Sequence, residues 1–600
     1  MNNFKKMLLT MSAGLLILGG CTPKPQQNTS AALMKAGTYT AKASGYAGDL
    51  EVTVTVDEEK ILSVEIGDNH ETPSVGGMAI EQLPKQIVDA QSLAVDGISG
   101  ATYTSNAIFN SVKDCLTQAG ADLAQFEKAQ TAKTGEEINL PADVVIIGAG
   151  AAGLSAALRL NELGQESILV LEKMAYTGGA SATCGGGFLA SGSKYQAEAG
   201  IEDSPELMVE ELLKKGHNLN DIELTRLHAE NSAAAIDWLI DDIGAQFNIP
   251  QPSEKGIARD FTAVGGGAGL MQTLHDAALN RGIEIQLNTQ ATALIYENGK
   301  VTGVEAKDDQ GNHYTIPAKA VLLATGGYGN NQQLIQSADA GRVIYYGPVS
   351  SNGEGLEMAQ KIGAKVTNLQ YLGVKPNGLE ISAGVGKYTQ PANNAMWKAS
   401  AGILVNDAGQ RLINETSSEQ DLVEIYKQQN DWAMYTVMDQ AAYDVFYATA
   451  IDKHLFSEAE AASWISEKGT GTTIFVQGET LADAAQQAGI DADQLTETLN
   501  AYNQGYQTGN DEFGRTLTAE FKMDGPIYIV KQNLRFATSL GGLDINPDCQ
   551  VLTEKDEAIE GLYAAGEVVG NVQGDASSAY LSWSATSGKI AAESIDALLK

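Results

Sequence analysis

The stretch that decides the fold is Asp143-Val-Val-Ile-Ile-Gly148-Ala-Gly150-Ala-Ala-Gly153-Leu-Ser-Ala-Ala-Leu. An apolar strand runs into a GxGxxG turn, and the turn opens a helix rich in Ala and Leu. A second apolar strand, Ser167–Leu171, then ends at Glu172. A bare GxGxxG is weak, but this order of strand, turn, helix, strand and acid predicts a Rossmann-like dinucleotide-binding unit.

Each residue of this turn has an expected task in holding a dinucleotide. Gly148 makes the turn, Gly150 admits the pyrophosphate, and Gly153 lets the helix and the strand pack closely. The helix N-terminus, which includes Ala149 and Ala151, offers unpaired N–H groups to the anion. Glu172 is expected to bind the hydroxyls of the adenosine ribose.

Later segments favour FAD over NAD as the dinucleotide. They are Lys173, Thr177–Ser181, Gly185–Gly187, the strand Ala320–Leu323 with Thr325 and Gly326, and Gly561–Glu567. In this order they resemble the fumarate reductase/succinate dehydrogenase flavoprotein superfamily, over about residues 140–600. The resemblance implies non-covalent FAD and a capping domain inserted at 369–537 between two FAD-binding parts, 140–368 and 538–600. The further FAD ligands implied are Lys173, Gly178, Gly179, Ala180, Ser181, Gly186, Gly187, Thr325, Gly326, Glu567 and Ser582.

Residues 36–118 predict a small α+β domain ahead of this body. Period-two β-branched runs such as Leu50–Val56 indicate antiparallel strands, and a helix is expected after Ser105. Between them lies Asp96-Gly-Ile-Ser99-Gly-Ala-Thr102-Tyr-Thr-Ser105, which resembles the attachment motif of the FMN-binding domain family. The resemblance implies FMN esterified to Thr102 by a flavin transferase, with His70, Ser99 and Gly100 as neighbouring cofactor residues. A Gly/Ser/Thr turn before a helix is the plainer alternative.

The first 21 residues indicate an export signal. Lys5 and Lys6 precede an apolar stretch, Met7–Gly20, that is short for a bilayer span. It ends in Leu18-Gly19-Gly20-Cys21, which resembles a bacterial lipoprotein box and implies cleavage before Cys21 and lipidation of its thiol. An uncleaved membrane anchor is the alternative. We therefore expect a lipid-anchored protein on the extracytoplasmic face of the cell membrane, with linkers at 22–35 and 119–139.

Composition excludes several classes of function. The 600 residues hold 39 Lys and Arg against 75 Asp and Glu, a net charge of −36, so binding to nucleic acid is not expected. The four cysteines, Cys21, Cys115, Cys184 and Cys549, lie far apart, so the chain carries no CxxC metal motif and no CxxCH haem motif. No metal site is predicted.

The chain departs from the superfamily at the substrate site. Fumarate enzymes of this kind hold two carboxylates with two His and an Arg, and a second Arg donates the proton. Here Lys375-Pro376 stands in place of His-Pro. The segment Thr416–Asp421, which follows Arg411–Glu415, lacks the Arg that would donate the proton. Thr538 stands in place of the second His, and Asp575-Ala-Ser577-Ser578 in place of the clamp Arg. Because two buried carboxylates need paired positive charge, fumarate is disfavoured as substrate. Urocanate enzymes of the superfamily retain an Arg acid and a His, which the resemblance does not find here, so urocanate is disfavoured too.

The remaining site residues are aromatic and polar. The spacing from Tyr580 to Gly588 resembles a C-terminal loop of ketosteroid dehydrogenases, in which a Tyr hydroxyl polarises the steroid carbonyl. Tyr580 could do the same for an enone or acid, or it could simply pack against the flavin. Lys375 and Lys398 could hold one carboxylate. The candidates for the proton donor are Tyr580, Tyr371, Lys375 and Glu419.

The sequence thus predicts an α/β and α+β multidomain flavoprotein, an oxidoreductase acting on CH–CH groups. The leading hypothesis is an extracytoplasmic reductase of a small unsaturated acid or enone, used as a respiratory terminal reductase and fed by a membrane or extracellular electron donor. The alternatives are a urocanate or fumarate reductase proper, or a ketosteroid-type dehydrogenase that runs the reaction backwards. A flavin electron shuttle without a substrate is the non-enzyme alternative, although a shuttle needs no capping domain.

Overall fold

The molecule is described from a computed structural model that covers residues 33–45, 48–71, 76–95, 97–98, 101–127, 135–253, 256–337, 339–576 and 580–600. Cys21, Asp96, Ser99, Gly100, Ser577 and Ser578 lie outside these residues. None of the helices in this part of the chain combines the length and the apolar character needed to span a bilayer.

The N-terminal domain is a three-stranded antiparallel sheet covered by two helices. Its elements are β1 (Gly37–Ser44), β2 (Asp49–Val56), β3 (Ile61–Ile66), α1 (Gly76–Ala90) and α2 (Thr102–Gln118). Alternate residues of β2 are buried, as expected for a strand with one face on a core. Helix α2 begins at Thr102, earlier than the helix expected after Ser105. The same hydrophobic core includes Met174, Ala175 and Tyr176, so this domain packs directly on the next one.

The second domain opens with the nucleotide-binding unit. Its first elements are β4 (Glu137–Asn139), β5 (Val144–Ile147), α3 (Ala151–Glu162), β6 (Ile168–Leu171), α4 (Gly179–Thr183), β7 (Gly187–Leu189), α5 (Lys194–Glu198), α6 (Pro205–Lys215), α7 (Ile222–Asp241), β8 (Phe247–Asn248), β9 (Asp260–Ala263), α8 (Gly266–Asn280), β10 (Glu284–Gln286), β11 (Thr289–Glu297), β12 (Lys300–Asp308), β13 (His313–Pro317) and β14 (Ala320–Leu323). Strand β4 lies in the segment predicted as a linker. It pairs in parallel with β13 and so forms the edge of the larger sheet.

The inserted region follows. It contains β15 (Ile344–Tyr345), α9 (Glu354–Lys361), β16 (Val366–Thr367), β17 (Lys375–Ser382), β18 (Val385–Tyr388), α10 (Gln390–Ala399), β19 (Ile403–Val405), α11 (Glu419–Lys427), β20 (Ala433–Met438), α12 (Gln440–Asp452), α13 (Glu458–Glu467), β21 (Phe475–Gly478), α14 (Leu481–Ala488), α15 (Ala492–Thr508) and β22 (Ile527–Phe536). The chain then ends with β23 (Gly542–Leu543), β24 (Gln550–Leu552), β25 (Ala558–Ala564) and α16 (Tyr580–Leu599).

Two sheets organise the body. The larger has the order β10-β6-β5-β14-β25-β12-β13-β4, and its strands β10, β6, β5, β14 and β25 run parallel. The last strand in the chain therefore closes the sheet that the first strands begin. The capping sheet has the order β15-β18-β17-β22-β20-β19, with β22 at its centre. It includes β15, which lies ahead of the predicted start of the cap.

Candidate active site

The glycine turn after β5 has no room for side chains. Gly148 has φ +105°, and a Cβ there would lie 2.3 Å from the carbonyl oxygen of Ala324. A Cβ on Gly153 would lie 1.9 Å from the carbonyl oxygen of Gly148. Helix α3 begins directly after Gly150, so its first N–H groups point out of the turn. This geometry suits a pyrophosphate at the helix N-terminus.

Glu172 holds the turn from the end of β6. Its side chain accepts hydrogen bonds from the backbone N–H of Ala149 at 2.9 Å and of Met174 at 2.9 Å. Burial raises the pKa of this carboxyl group. Lys173 projects beside it and pairs with Glu354, with 2.5 Å between Nζ and Oε1. The acid predicted for the ribose thus lies at the groove and also fixes the peptide of Ala149.

A groove runs from this turn across the sheet. The predicted FAD ligands that line it are Gly148, Gly150, Ala151, Glu172, Lys173, Gly178, Gly179, Ala180, Ser181, Thr325, Gly326 and Glu567. Thr325 Oγ1 is buried and has no hydrogen-bond partner among the described residues. Because an unsatisfied buried hydroxyl is costly, it indicates a ligand polar atom at this position. The residues present therefore fit FAD, with Ala149 and Gly153 behind the turn.

Glu567 lies at the far end of the groove. Its Oε1 accepts hydrogen bonds from the backbone N–H of Ser539 at 3.0 Å and from Ser539 Oγ at 3.2 Å. Burial raises the pKa of the Glu567 carboxyl to about 7, although both hydrogen bonds act in the opposite direction. Glu567 therefore gives the groove a carboxyl group with a pKa near neutral pH.

A second cavity of about 580 Å³ begins where the groove ends, and Gly179 and Ala180 line both. The FAD-binding domain contributes Gly186 and Gly187, which were predicted as FAD ligands, together with Thr538 and Tyr580. The cap contributes Lys375, Lys387, Tyr346 and Tyr388. The N-terminal domain contributes Tyr103, the residue after Thr102. All three domains therefore meet at one cavity.

The cavity unites some of the proposed proton donors and not others. Tyr580 lines it, but its hydroxyl donates to the carbonyl oxygen of Ser539 at 3.1 Å, and burial holds its pKa well above the usual value. Lys375 also lines it, and its Nζ lies 2.8 Å from Glu419 Oε2. Glu419 does not line the cavity itself and is linked to it by this ion pair with Lys375. Tyr371 is not among the described residues that line the cavity, and its backbone N–H donates to the carbonyl oxygen of Asn368 at 3.0 Å.

Ser582 does not lie at the FAD groove as predicted. Its hydroxyl donates to the carbonyl oxygen of Leu189 at 2.5 Å, and it lies 2.7 Å from His228 Nε2. Burial lowers the pKa of His228 to about 4, so this imidazole is neutral at ordinary pH. The pair joins α16 to β7 and α7 from behind the flavin groove, which is a structural role.

Hydrogen bonds hold the described residues of the predicted FMN attachment motif and of the helix that follows it. Thr104 Oγ1 donates to Glu71 Oε2 at 2.7 Å, and the backbone N–H of Ile98 donates to Ser105 Oγ at 3.0 Å. His70 is exposed on the loop after β3. The start of α2 is therefore held in place at the edge of the shared cavity, which Tyr103 lines, and attachment of FMN at Thr102 stays a prediction.

The sequence reasoning missed two residues at the cap side of the cavity: Tyr346, which lines it, and Arg535, which packs against the Tyr346 ring. Arg535 is 4% exposed and lies against the face of Tyr346, with 4.4 Å between its Cζ atom and the ring centroid. Tyr346 lines the cavity. The alternation of β22 would place Arg535 on one face of the strand, but the motifs of the superfamily do not single it out.

Comparison with known proteins assigns both flavin domains. An FAD binding domain matches residues 143–578, and an FMN-binding domain matches residues 45–117. Urocanate reductase from Eggerthella lenta is 30% identical over 579 residues, which cover 94% of this chain and 92% of that protein. These matches confirm FAD and FMN as the cofactors.

Solved structures agree with this assignment. The open conformation of a flavocytochrome c3 fumarate reductase aligns with a TM-score of 0.63 and 25% identity, over 80% of this chain and 84% of that one. A 3-ketosteroid delta1-dehydrogenase from Sterolibacterium denitrificans aligns with a TM-score of 0.65 and 20% identity, over 76% of this chain and 99% of that one. The second likeness concerns the fold alone. The predicted multidomain fold class is confirmed, while the individual ligand and catalytic residues stay predictions.

Proposed function

Because this chain belongs to the family of flavoproteins built on this FAD-binding domain, we propose that it reduces the C=C bond of a small α,β-unsaturated acid or enone. It is a flavin-dependent oxidoreductase of the class that acts on CH–CH groups. The observation that carries the substrate proposal is the capped cavity that continues from the FAD groove and is lined by Lys375 and Tyr580.

Reduced FAD, when bound, supplies a hydride to the β-carbon of the substrate. The chain supplies the other requirements. Lys375 holds the proton that is added to the α-carbon, and Glu419 positions and recharges it through the 2.8 Å contact. The cap covers the cavity and limits access of water. The net change adds two electrons and two protons to the substrate, and the C=C bond becomes CH–CH.

In this proposal Thr102 would hold FMN as an ester formed by a flavin transferase, and that flavin would supply electrons to the FAD held in the groove. The adjacent Tyr103 lines the same cavity as Gly179 and Ala180. The shared cavity supports direct transfer between the two flavins. A covalent bond also suits a protein outside the cell, where lost FMN cannot be replaced.

The chain works on the outer side of the cell membrane in this proposal, as a terminal reductase fed by a membrane or extracellular electron donor. The support is the leader that ends at Cys21. We expect Cys21→Ala to move the protein from the membrane fraction to the soluble or unprocessed fraction, and detergent partitioning with immunoblotting measures this. Unchanged membrane association of a fully processed Cys21→Ala protein would contradict the lipid anchor.

The test of the reaction uses the purified holoprotein with reduced methyl viologen and a panel of enoates and enones. Viologen oxidation that depends on substrate, with a saturated product, is expected. If no compound of the panel causes the protein to oxidise viologen, this proposal ends and an electron shuttle is favoured. Oxidation of saturated acids or steroids with an artificial acceptor, without the reverse reaction, would favour a dehydrogenase.

Lys375→Met tests the proton donor. We expect turnover to fall by about 100-fold or more, because loss of a general acid typically costs that much, while the bound FAD still reduces. The matched control is Lys361→Met, which removes an exposed lysine at the end of helix α9. Equal activity of the two variants would show that Lys375 does not donate the proton.

A further inference from the structure

Arg535 is a buried guanidinium without a buried counter-ion. It is 4% exposed, and no carboxylate of the described residues lies within ion-pair distance of it. Its Nε donates to the carbonyl oxygen of Pro376 at 3.0 Å, and its two Nη groups make no hydrogen bond to described residues. Burying an unpaired cation is costly, so this arrangement indicates an anion supplied from outside the chain.

Two tyrosines orient this guanidinium. Its Cζ lies 4.4 Å from the ring centroid of Tyr346 and 5.4 Å from that of Tyr388. Both rings line the cavity next to the flavin groove. Cation–π contact covers the face of a guanidinium and leaves its N–H edge free for a planar oxyanion.

The strand register places Arg535 beside Lys375. The two residues are Cα partners across the antiparallel pair β17–β22, so their side chains leave the same face of the sheet. A register shift follows Lys375, with Asn377 at φ +61°, and it turns the Pro376 carbonyl oxygen toward Arg535. The bulge therefore fixes Arg535 at the strand position opposite the lysine that lines the cavity.

The charges around Arg535, at the corner formed with Lys375 and Lys387, favour a substrate with one carboxylate over one with two. Lys375 is neutralised by Glu419, at 2.8 Å, which leaves the positive charge of Arg535 uncompensated. The nearby cation Lys387 is likewise paired, with Glu460 at 2.7 Å. One carboxylate would balance the corner, whereas a dicarboxylate would bring a second buried negative charge without a partner.

We infer that Arg535 is the binding residue for the carboxylate of the substrate, and that the substrates are unsaturated monocarboxylates with a flat apolar body. This inference rests on the proposed function and narrows its substrate class. A carboxylate on the Arg535 edge leaves its α-carbon one bond away, on the side of Lys375. The tyrosine-lined cavity receives the rest of the molecule.

The test measures binding to the oxidised holoprotein, so it needs no turnover. Trans-cinnamate, its neutral analogue trans-cinnamamide and fumarate are titrated, and the change in flavin absorption gives Kd. We expect cinnamate to bind about tenfold tighter than cinnamamide or fumarate. Arg535→Met should weaken cinnamate by about tenfold or more and leave cinnamamide nearly unchanged, with partial rescue in Arg535→Lys.

The control is Arg342→Gln, which removes a guanidinium lying 5.1 Å from the ring of Trp432, away from the cavity wall. Equal weakening of acid and amide by Arg535→Met, or no binding of any carboxylate at millimolar concentration, would overturn the inference. Failure of Arg535→Met to fold leaves Arg535→Lys, whose acid-to-amide preference must then fall below that of the native protein.

The same titrations in a Thr102→Ala background separate the FMN phosphate from the substrate as the anion. An effect of Arg535 that persists without FMN supports the substrate carboxylate. An effect that disappears assigns Arg535 to FMN and overturns the inference. Turnover of enones alone, with no acid preference, would leave the reductase proposal intact and refute this one.

Discussion

Glu567 is a buried carboxyl group whose ionisation is coupled to folding. Burial raises its pKa from 4.5 to about 7, so between these pH values the folded protein binds more protons than the unfolded chain. The free energy of unfolding must then fall as pH rises through this range. For one group with this pKa, the change is about 3 kcal/mol.

We expect Glu567→Gln to remove this pH dependence in protein stripped of FAD. Urea unfolding across about pH 4.5–7 should show the native protein losing stability with rising pH relative to the variant, by about 3 kcal/mol in total. A difference between variant and native protein that stays constant across this range would contradict the buried, protonated carboxyl group.

His228 provides an opposite comparison within the same domain. Burial lowers its pKa from 6.5 to about 4, so the unfolded chain binds more protons in that range and the contribution of His228 to stability is lost as pH falls. His228→Gln should therefore change the slope of stability against pH with the sign opposite to that of Glu567→Gln.

At the scale of elements, a buried ionic cluster joins the segments of the cap. Arg411 pairs with Glu415 at 2.8 Å and with Asp511, and Arg515 pairs with Glu415 at 3.1 Å. Arg515 also donates to the carbonyl oxygens of Trp397, Ser400 and Gly402. The cluster thus ties the end of α10 and the start of β19 to the loop that follows α15.

We expect Glu415→Gln to destabilise the cap by about 3–5 kcal/mol, because it leaves two buried guanidinium groups short of negative charge. Chemical denaturation measures the loss. The control is Glu560→Gln, which breaks the exposed pair with Lys300 and should cost less than about 1 kcal/mol. Similar losses of unfolding free energy in the two variants would mean that the buried cluster stabilises the cap no more than an exposed ion pair does.

Local patterns reveal the flavin groove far better than the substrate site. The turn at Gly148, the helix α3 and the acid at Glu172 follow one another in the chain, so spacing alone predicts their arrangement. Arg535 and Lys375 come from strands far apart in the chain, and their pairing across the sheet depends on a register set by the bulge after Lys375. No sequence period reports such a register, which is why Arg535 was missed.

At the scale of the whole molecule, the N-terminal domain brings its attachment helix to the FAD-binding domain. Met174, Ala175 and Tyr176 are buried in its hydrophobic core, and Tyr103 reaches the shared cavity. Both flavins thus belong to one packed unit. Under the proposed function, this contact is what would let electrons pass from one flavin to the other.

We expect Thr102→Ala to abolish the flavin that stays with the chain after acid denaturation, because the ester has no other hydroxyl at that position. The FAD released by the same treatment should remain unchanged. Absorbance of pellet and supernatant measures both. The control is Thr117→Ala, an exposed residue of the same helix. Yellow colour that stays with the Thr102→Ala chain would refute attachment at this residue.

The two sides of the shared cavity are built by different parts of the chain. Its flavin side comes from segments near Gly179 and Thr538, while Lys375, Lys387 and Tyr388 belong to one hairpin of the inserted region, β17–β18. Under the proposed function, we expect a graft of that hairpin from a relative to change the substrate preference and to leave the cofactor cradle unaltered. New reductases could then diversify by rewriting a short interchangeable insert, and the electron-carrying scaffold would be inherited whole.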